Sequence, residues 1–131
     1  MAIILMIDCF WKEFEEKTSP CGHHRKHGEV LIRCKKIEPD ILKIQKFISF
    51  NPFEANRTGK FLCDLADKHN VTMIGEATPT MVGPSVTKDN TFFIGMNLER
   101  LLRWYNHYGF NSVEENGKHI ITRSPKNEGE N

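Results

Sequence analysis

The chain has 131 residues, 39% of them hydrophobic and 27% charged, the size and balance of one compact domain around one core. With 18 Lys and Arg against 17 Asp and Glu, the formal net charge is +1, so bulk electrostatics draw it to neither nucleic acid nor anionic lipid, and such binding needs a local patch. No stretch approaches the roughly 20 apolar residues of a membrane helix. The apolar start, Ala2 to Ile7, is broken by Asp8 and has no basic residue before it, unlike a secretory signal. A cytoplasmic protein is expected, with Cys9, Cys21, Cys34 and Cys63 as free thiols.

Residues 2–7 are aliphatic without polar alternation, which predicts a strand buried on both faces, with a helix start as the alternative. Phe10 and Phe14, four apart among charges, predict a helix that Thr18-Ser19-Pro20 ends. Cys21 to Gly28 is polar and basic with no apolar period, which reads as a loop. Glu29 to Ile37 and Ile41 to Phe50 read as strands around the turn signal Glu38-Pro39-Asp40, the second internal because both its faces carry apolar residues. Asn51-Pro52-Phe53-Glu54 has the form of a helix start: Asn as N-cap, Pro at the first helical position and Glu at the third. That helix runs through Phe61, Leu62, Leu65 and Ala66 to His69-Asn70, and a strand from Val71 stops near Thr78-Pro79.

Thr80 to Met96 reads as a long loop in which Thr91 to Ile94 packs locally. Asn97 N-caps a helix carrying Leu98, Leu101, Leu102, Tyr105 and Tyr108 on one stripe, with Gly109 as its stop. Phe110 to Val113 and Ile120 to Thr122 flank Asn116-Gly117, a hairpin-turn signal, and Lys126 to Asn131 is a polar tail. The order predicts a single α/β domain over residues 1–125, built on a mixed, twisted sheet flanked by helices.

Four segments in order resemble the GCN5-related N-acetyltransferase superfamily, over roughly Ile41 to Pro125. Ile41 to Phe50 is similar to the strand that leads into the acetyl-CoA loop, and Ala55 to His69, with its Leu65-Ala66-Asp67 ending, to the helix after it. Val71 to Pro79 is similar to the next strand. Leu101-Leu102-Arg103-Trp104-Tyr105-Asn106-His107-Tyr108-Gly109-Phe110 resembles the terminal helix, and Thr122-Arg123-Ser124-Pro125 the ending of small, often phage-encoded members.

The resemblance implies a small GNAT-like fold that transfers an acetyl group from acetyl-CoA, as cosubstrate, to an unknown amine. Pyrophosphate would lie on backbone N–H groups at a helix N-terminus, and the thioester between two parallel strands that splay apart near Phe50 and Thr78. Tyr105 then stands as the acid for the leaving thiolate, and Glu76, from its position alone, as the base. The cofactor residues implied are Ile48, Ser49 and Phe50 at the strand end, Ala55, Asn56, Arg57 and Lys60 at the loop and helix, and Asn97. The family's phosphate loop reads Arg/Gln-x-x-Gly-x-Gly/Ala, and of Phe50-Asn51-Pro52-Phe53-Glu54-Ala55 only Ala55 fits it. Pro52 removes a donor, Phe53 fills space that glycine leaves open, and Glu54 brings negative charge to the anion end. Arg57 and Lys60 offset this in part if they point to the loop.

Cys21, His23, His24 and His27 form the other cluster, but without a Cys-x-x-Cys half, and with His23 and His24 adjacent, a solvated basic loop is expected rather than a metal site. Trp104 and Tyr108 are expected against the sheet or, in a homodimer, a partner subunit. The alternative to an enzyme is a non-catalytic protein of the same fold whose exposed loops bind a host protein or nucleic acid, or a phage enzyme that modifies a nucleic-acid base.

Overall fold

A computed structural model describes residues 6–49, 52–77, 85–86, 92–93 and 98–126. It is an α/β structure with three helices and a seven-stranded mixed sheet in the order β1-β2-β3-β4-β5-β9-β8, beside a small two-stranded sheet β6-β7. Among the described residues no helix is long and apolar enough to cross a membrane.

Helix α1 (Met6–Lys17) buries Ile7, Phe10 and Phe14, a three-and-four spacing that gives one apolar face. Ile7 is therefore helical, against the strand expected over residues 2–7; residues 2–5 lie outside the described residues. The Thr18 hydroxyl donates to the Phe14 carbonyl at 2.7 Å, and the Arg25 guanidinium donates to the carbonyls of Glu15 and Thr18, satisfying acceptors that a helix end leaves open.

The basic segment read as a loop is a hairpin of β1 (Ser19–Cys21) and β2 (His24–His27), turning through Gly22 at φ 61°. It lies at the sheet edge, where pairing is backbone-only and the β1 side chains stay exposed, so no apolar alternation marks it. Strands β3 (Val30–Glu38) and β4 (Ile41–Ile48) follow as an antiparallel pair, then α2 (Pro52–His69) and β5 (Thr72–Glu76), which pairs parallel with β4. Strands β6 (Ser85–Val86) and β7 (Phe92–Phe93) form a short antiparallel pair inside the expected loop, whose other residues lie outside the described ones. Helix α3 (Leu98–His107) leads to the hairpin of β8 (Asn111–Glu115) and β9 (Lys118–Arg123), whose Asn116-Gly117 turn has both φ angles positive, as its sequence predicts.

Strand β4 is internal, as expected, but among the described residues the helices cover only one sheet face. Val30, Ile32, Leu42, Ile44, Met73 and Ile121 are buried in one cluster with Phe10, Phe14, Leu62 and Tyr105 of the helices. The alternate residues Arg33, Lys35, Lys43, Glu76 and Thr122 are exposed. The β3–β4 register breaks twice: Arg33 pairs with Lys46 but Cys34 with Ile44, leaving Gln45 as an extra residue in β4, and Ile37 is the extra residue of β3 in the same way.

The Asp67 carboxylate at the end of α2 takes a two-point hydrogen bond from the Arg123 guanidinium at 2.8 and 3.0 Å and a further one from the Lys126 N–H. Arg123 also donates from Nε to the Tyr108 carbonyl at 2.6 Å, and only 3% of it is exposed. Lys126 is thus anchored rather than part of a loose tail. Helix α1 is held to α2 by the Phe14–Phe61 ring contact and by Glu13, which accepts from Lys68 and lies 2.9 Å from His69 Nε2.

Removing one partner of a buried ion pair costs about 3–5 kcal/mol, so Arg123→Ala should lower unfolding free energy by that order in urea titration, the single largest effect of any charged position. Lys68, Lys17 and His69 hold the Glu13 carboxyl down to about 2. Its contribution is complete above about pH 4.5, where the unfolded chain is also ionised, and is lost as pH falls toward about 2. Thermal melts should show stability falling across that interval, with a shallower fall in Glu13→Gln.

Candidate functional site

Strands β4 and β5 keep parallel register over Ile41–Thr72, Leu42–Met73, Lys43–Ile74 and Ile44–Gly75. Pairing between them goes no further among the described residues, although β4 runs on to Ile48. The break coincides with the Gln45 bulge on the β3 side. A bulge re-aims the backbone, and β5 itself ends at Glu76, one residue past the last pair, so among the described residues β4 from Gln45 to Ile48 has no strand partner on its β5 side, which leaves a gap in the ladder there.

Above this gap, on the helix side, lies an apolar crevice whose floor is Ile44 and Phe47, the core-facing residues on either side of the bulge, with Met73 beside them. Tyr105 and Trp104 of α3 form its wall, with Gly59 and Leu62 of α2. The Trp104 ring packs 5.4 Å from Phe47, and a Cβ on Gly59 would stand 3.1 Å from it, so glycine in mid-helix is what lets the indole lie flat on α2. Trp104 and Tyr108 are thus within the fold: Trp104 Nε1 donates to Asn56 Oδ1 at 2.8 Å and the Tyr108 hydroxyl to Asn56 at 3.2 Å.

Tyr105 is 8% exposed, and burial pushes its phenol up to about 12. Its hydroxyl has no hydrogen-bond partner among the described residues. Glu76 ends β5 on the uncovered face, exposed, opposite Ile120. Tyr105, which lines the crevice with Ile44, and Glu76 thus stand on opposite faces of the sheet.

The other expected site residues divide. Ile48 ends β4 and Ser49 follows it, both half-buried; Phe50 and Asn97 lie outside the described residues. Ala55 is buried against the core, and Asn56 is engaged by the α3 aromatics. Arg57 reaches back toward the helix start, 3.5 Å from Glu54 Oε1, whereas Lys60 donates to Asp64 at 2.8 Å and so points away from the loop. Of the two cations, only Arg57 is turned toward the helix start. The other Glu54 oxygen lies against the backbone of Gly28, a turn residue at φ 59° with no room for a side chain. Phe53 is 84% exposed.

The Cys/His cluster does not converge. Cys21 pairs across from His24, but strand alternation sends His27 to the opposite face, where it stacks 4.3 Å over Phe61 with Nδ1 2.7 Å from the Thr58 hydroxyl. Burial, reinforced by Arg57, lowers the His27 pKa. Among the described residues no three metal-ligating side chains gather. Cys34 and Cys63 are pushed by burial to about 12 and about 11, which suits inert packing rather than nucleophilic thiolates.

Sequence reasoning missed the Gln45 bulge, for which Lys-Ile-Gln-Lys has no marker, and the tie through Asn56. It noted Asp67 and Arg123 without joining them. The signal was present: Arg123 is two residues from buried Ile121, so it stands at a core-facing position where a cation needs an anion. Asn56→Ala should cost about 1 kcal/mol in denaturant unfolding and shift Trp104 emission to the red, because the indole N–H is then left to water. No family model matches this chain, and no curated protein or solved structure was found to be significantly similar to it.

Proposed function

We propose that the protein is an acetyl-CoA-dependent N-acetyltransferase of GNAT-like fold, cytoplasmic and of the small phage type, acting on an amine by direct transfer. The observation that carries this reading is the Gln45 bulge placed where the parallel β4–β5 pairing stops, which leaves unpaired backbone at mid-sheet for a thioester. The element order supports it as well: β4 leads into α2, β5 returns parallel beside β4, and a terminal helix and hairpin close the sheet on the β5 side.

In this reading the backbone after Ile44 hydrogen-bonds the pantetheine arm and polarises the thioester carbonyl. The amine nitrogen attacks that carbon from the uncovered face, the C–N bond forms and the C–S bond breaks, and Glu76 takes the proton the amine sheds. Tyr105 approaches from the helix side. With its phenol near 12 against about 8.5 for an ordinary thiol, it keeps its proton and stabilises the departing thiolate by donating a hydrogen bond. Arg57 neutralises Glu54 at the start of α2, which restores part of the attraction for pyrophosphate that Glu54 removes.

A second reading, a fold of this kind without catalysis, is favoured by Glu54 itself, whose carboxylate fills the space at the start of α2 against Gly28. Isothermal titration with acetyl-CoA and with CoA separates the two. Micromolar binding, about −8 kcal/mol, is expected of the enzyme, and absence of heat with either ligand would favour the second reading. Given an acceptor found by amine screening, Tyr105→Phe should lower kcat about 10- to 100-fold, the loss of one hydrogen bond to a charged group, with its fold intact by circular dichroism.

A further inference from the structure

Two groups of cations contrast. On the helix side Lys17, Lys36, Lys60, Lys68 and Arg123 each lie within ion-pair distance of a carboxylate, as does Arg57 at the start of α2. On the uncovered sheet face Lys26, Arg33, Lys35, Lys43 and Lys46 are all exposed, and none has an ion pair among the described residues. Their placement follows from alternation. Arg25 and His27 turn to the helices, so Lys26 turns away. Ile32, Leu42, Ile44 and Phe47 turn inward, so Arg33, Lys43 and Lys46 turn outward, the bulge at Gln45 preserving this for Lys46.

Two of the cross-strand pairs set like charges directly opposite: Arg33 with Lys46, and Lys35 with Lys43. Such pairs destabilise a sheet. Successive outward residues on a strand are about 6.7 Å apart and neighbouring strands about 4.8 Å, so four cations crowd a patch of a few tens of Å2, with Lys26 one strand beyond. The net charge of +1 conceals this because acids such as Asp8, Glu13, Asp64 and Asp67 lie on the helices.

We infer that the basic face of β2, β3 and β4 binds the phosphodiester backbone of duplex nucleic acid. A duplex presents one negative charge about every 1.7 Å of axis, so a flat basic patch meets several phosphates at once without needing a pocket. The surface suits other anionic partners less well. β2 and β3 are interior strands with a partner strand on each side and offer no free edge for adding a peptide strand, and the open stretch of β4 beyond Ile44 is short, Gln45 to Ile48. By alternation β2, β3 and β4 send no Phe, Tyr or Trp side chain to this face, so the patch lacks the broad stacking platform of single-strand binders and the anchors of membrane binders. Recognition by charge alone is independent of base sequence. It stands apart from the acetyl-CoA reading and does not require it.

The test is fluorescence anisotropy with a labelled 30-base-pair duplex of random sequence, using the full chain. Micromolar binding is expected at 50 mM salt, with a slope of log K against log salt of about −4 and hence about 250-fold weaker binding at 200 mM. Lys43→Glu combined with Lys46→Glu places acids opposite Lys35 and Arg33, which should leave thermal stability equal or higher while weakening binding at least tenfold. Failure to bind at 50 mM salt, binding unchanged in that double variant, or tighter binding to polyglutamate or to phosphatidylserine vesicles than to the duplex would each overturn the inference.

Discussion

The bidentate pair of Asp67 and Arg123 is the constraint on which the C-terminal half of the molecule depends. It joins the last turn of α2 to β9, and through Arg123 Nε it reaches the turn that ends α3 at Tyr108. An arginine this deeply buried carries a large desolvation cost that only close, two-point hydrogen bonding offsets. The result is geometric: α2 and α3 must sit side by side over β4, β5 and β9, and the aromatic wall of Trp104 and Tyr105 is brought over the place where β4 and β5 part. Gly59 and Asn56 complete this contact, the first by leaving room for the indole and the second by accepting from it.

The gap itself comes from a different source, one extra residue in β4. Gln45 interrupts the ladder on the β3 side while the β5 side ceases to pair at Ile44. Among the described residues the helices cover one face of the sheet only, so a buried phenol and an exposed carboxylate stand on opposite faces. The charges follow the same asymmetry: on the helix side cations are paired with acids, two of the pairs, Lys36–Asp8 and Arg123–Asp67, joining helix to sheet, whereas the cations of the other face have no ion pair among the described residues.

Much of the architecture was legible because it rests on local periodicity. The stripe of α3, the start of α2 at Pro52 and the Asn116-Gly117 turn were all read from residues that act within a few positions of one another. What escaped reading depends on partners far along the chain. Ile7 belongs to a helical face only because Phe10 and Phe14 lie under α2. The β1–β2 hairpin carries no apolar alternation because it is an edge, and His27 turns inward through Thr58 and Phe61, 31 and more residues away. For the site, Tyr105 follows from the family resemblance and Glu76 from its position, and the two stand on opposite faces of the sheet, whereas Lys60, named with the loop, pairs with Asp64, an interaction of the ordinary four-residue helical spacing.

The central claim is that the backbone beside Gln45 is a binding surface and not merely an irregular ladder. Amide chemical shifts recorded by NMR during titration with acetyl-CoA test it most directly, because they report on the N–H groups themselves. The account predicts that the largest changes fall on Gln45 to Ile48 and on Gly75 to Ala77, the two sides of the gap. Changes absent from these residues, or confined to the basic face of β2 and β3, would contradict it.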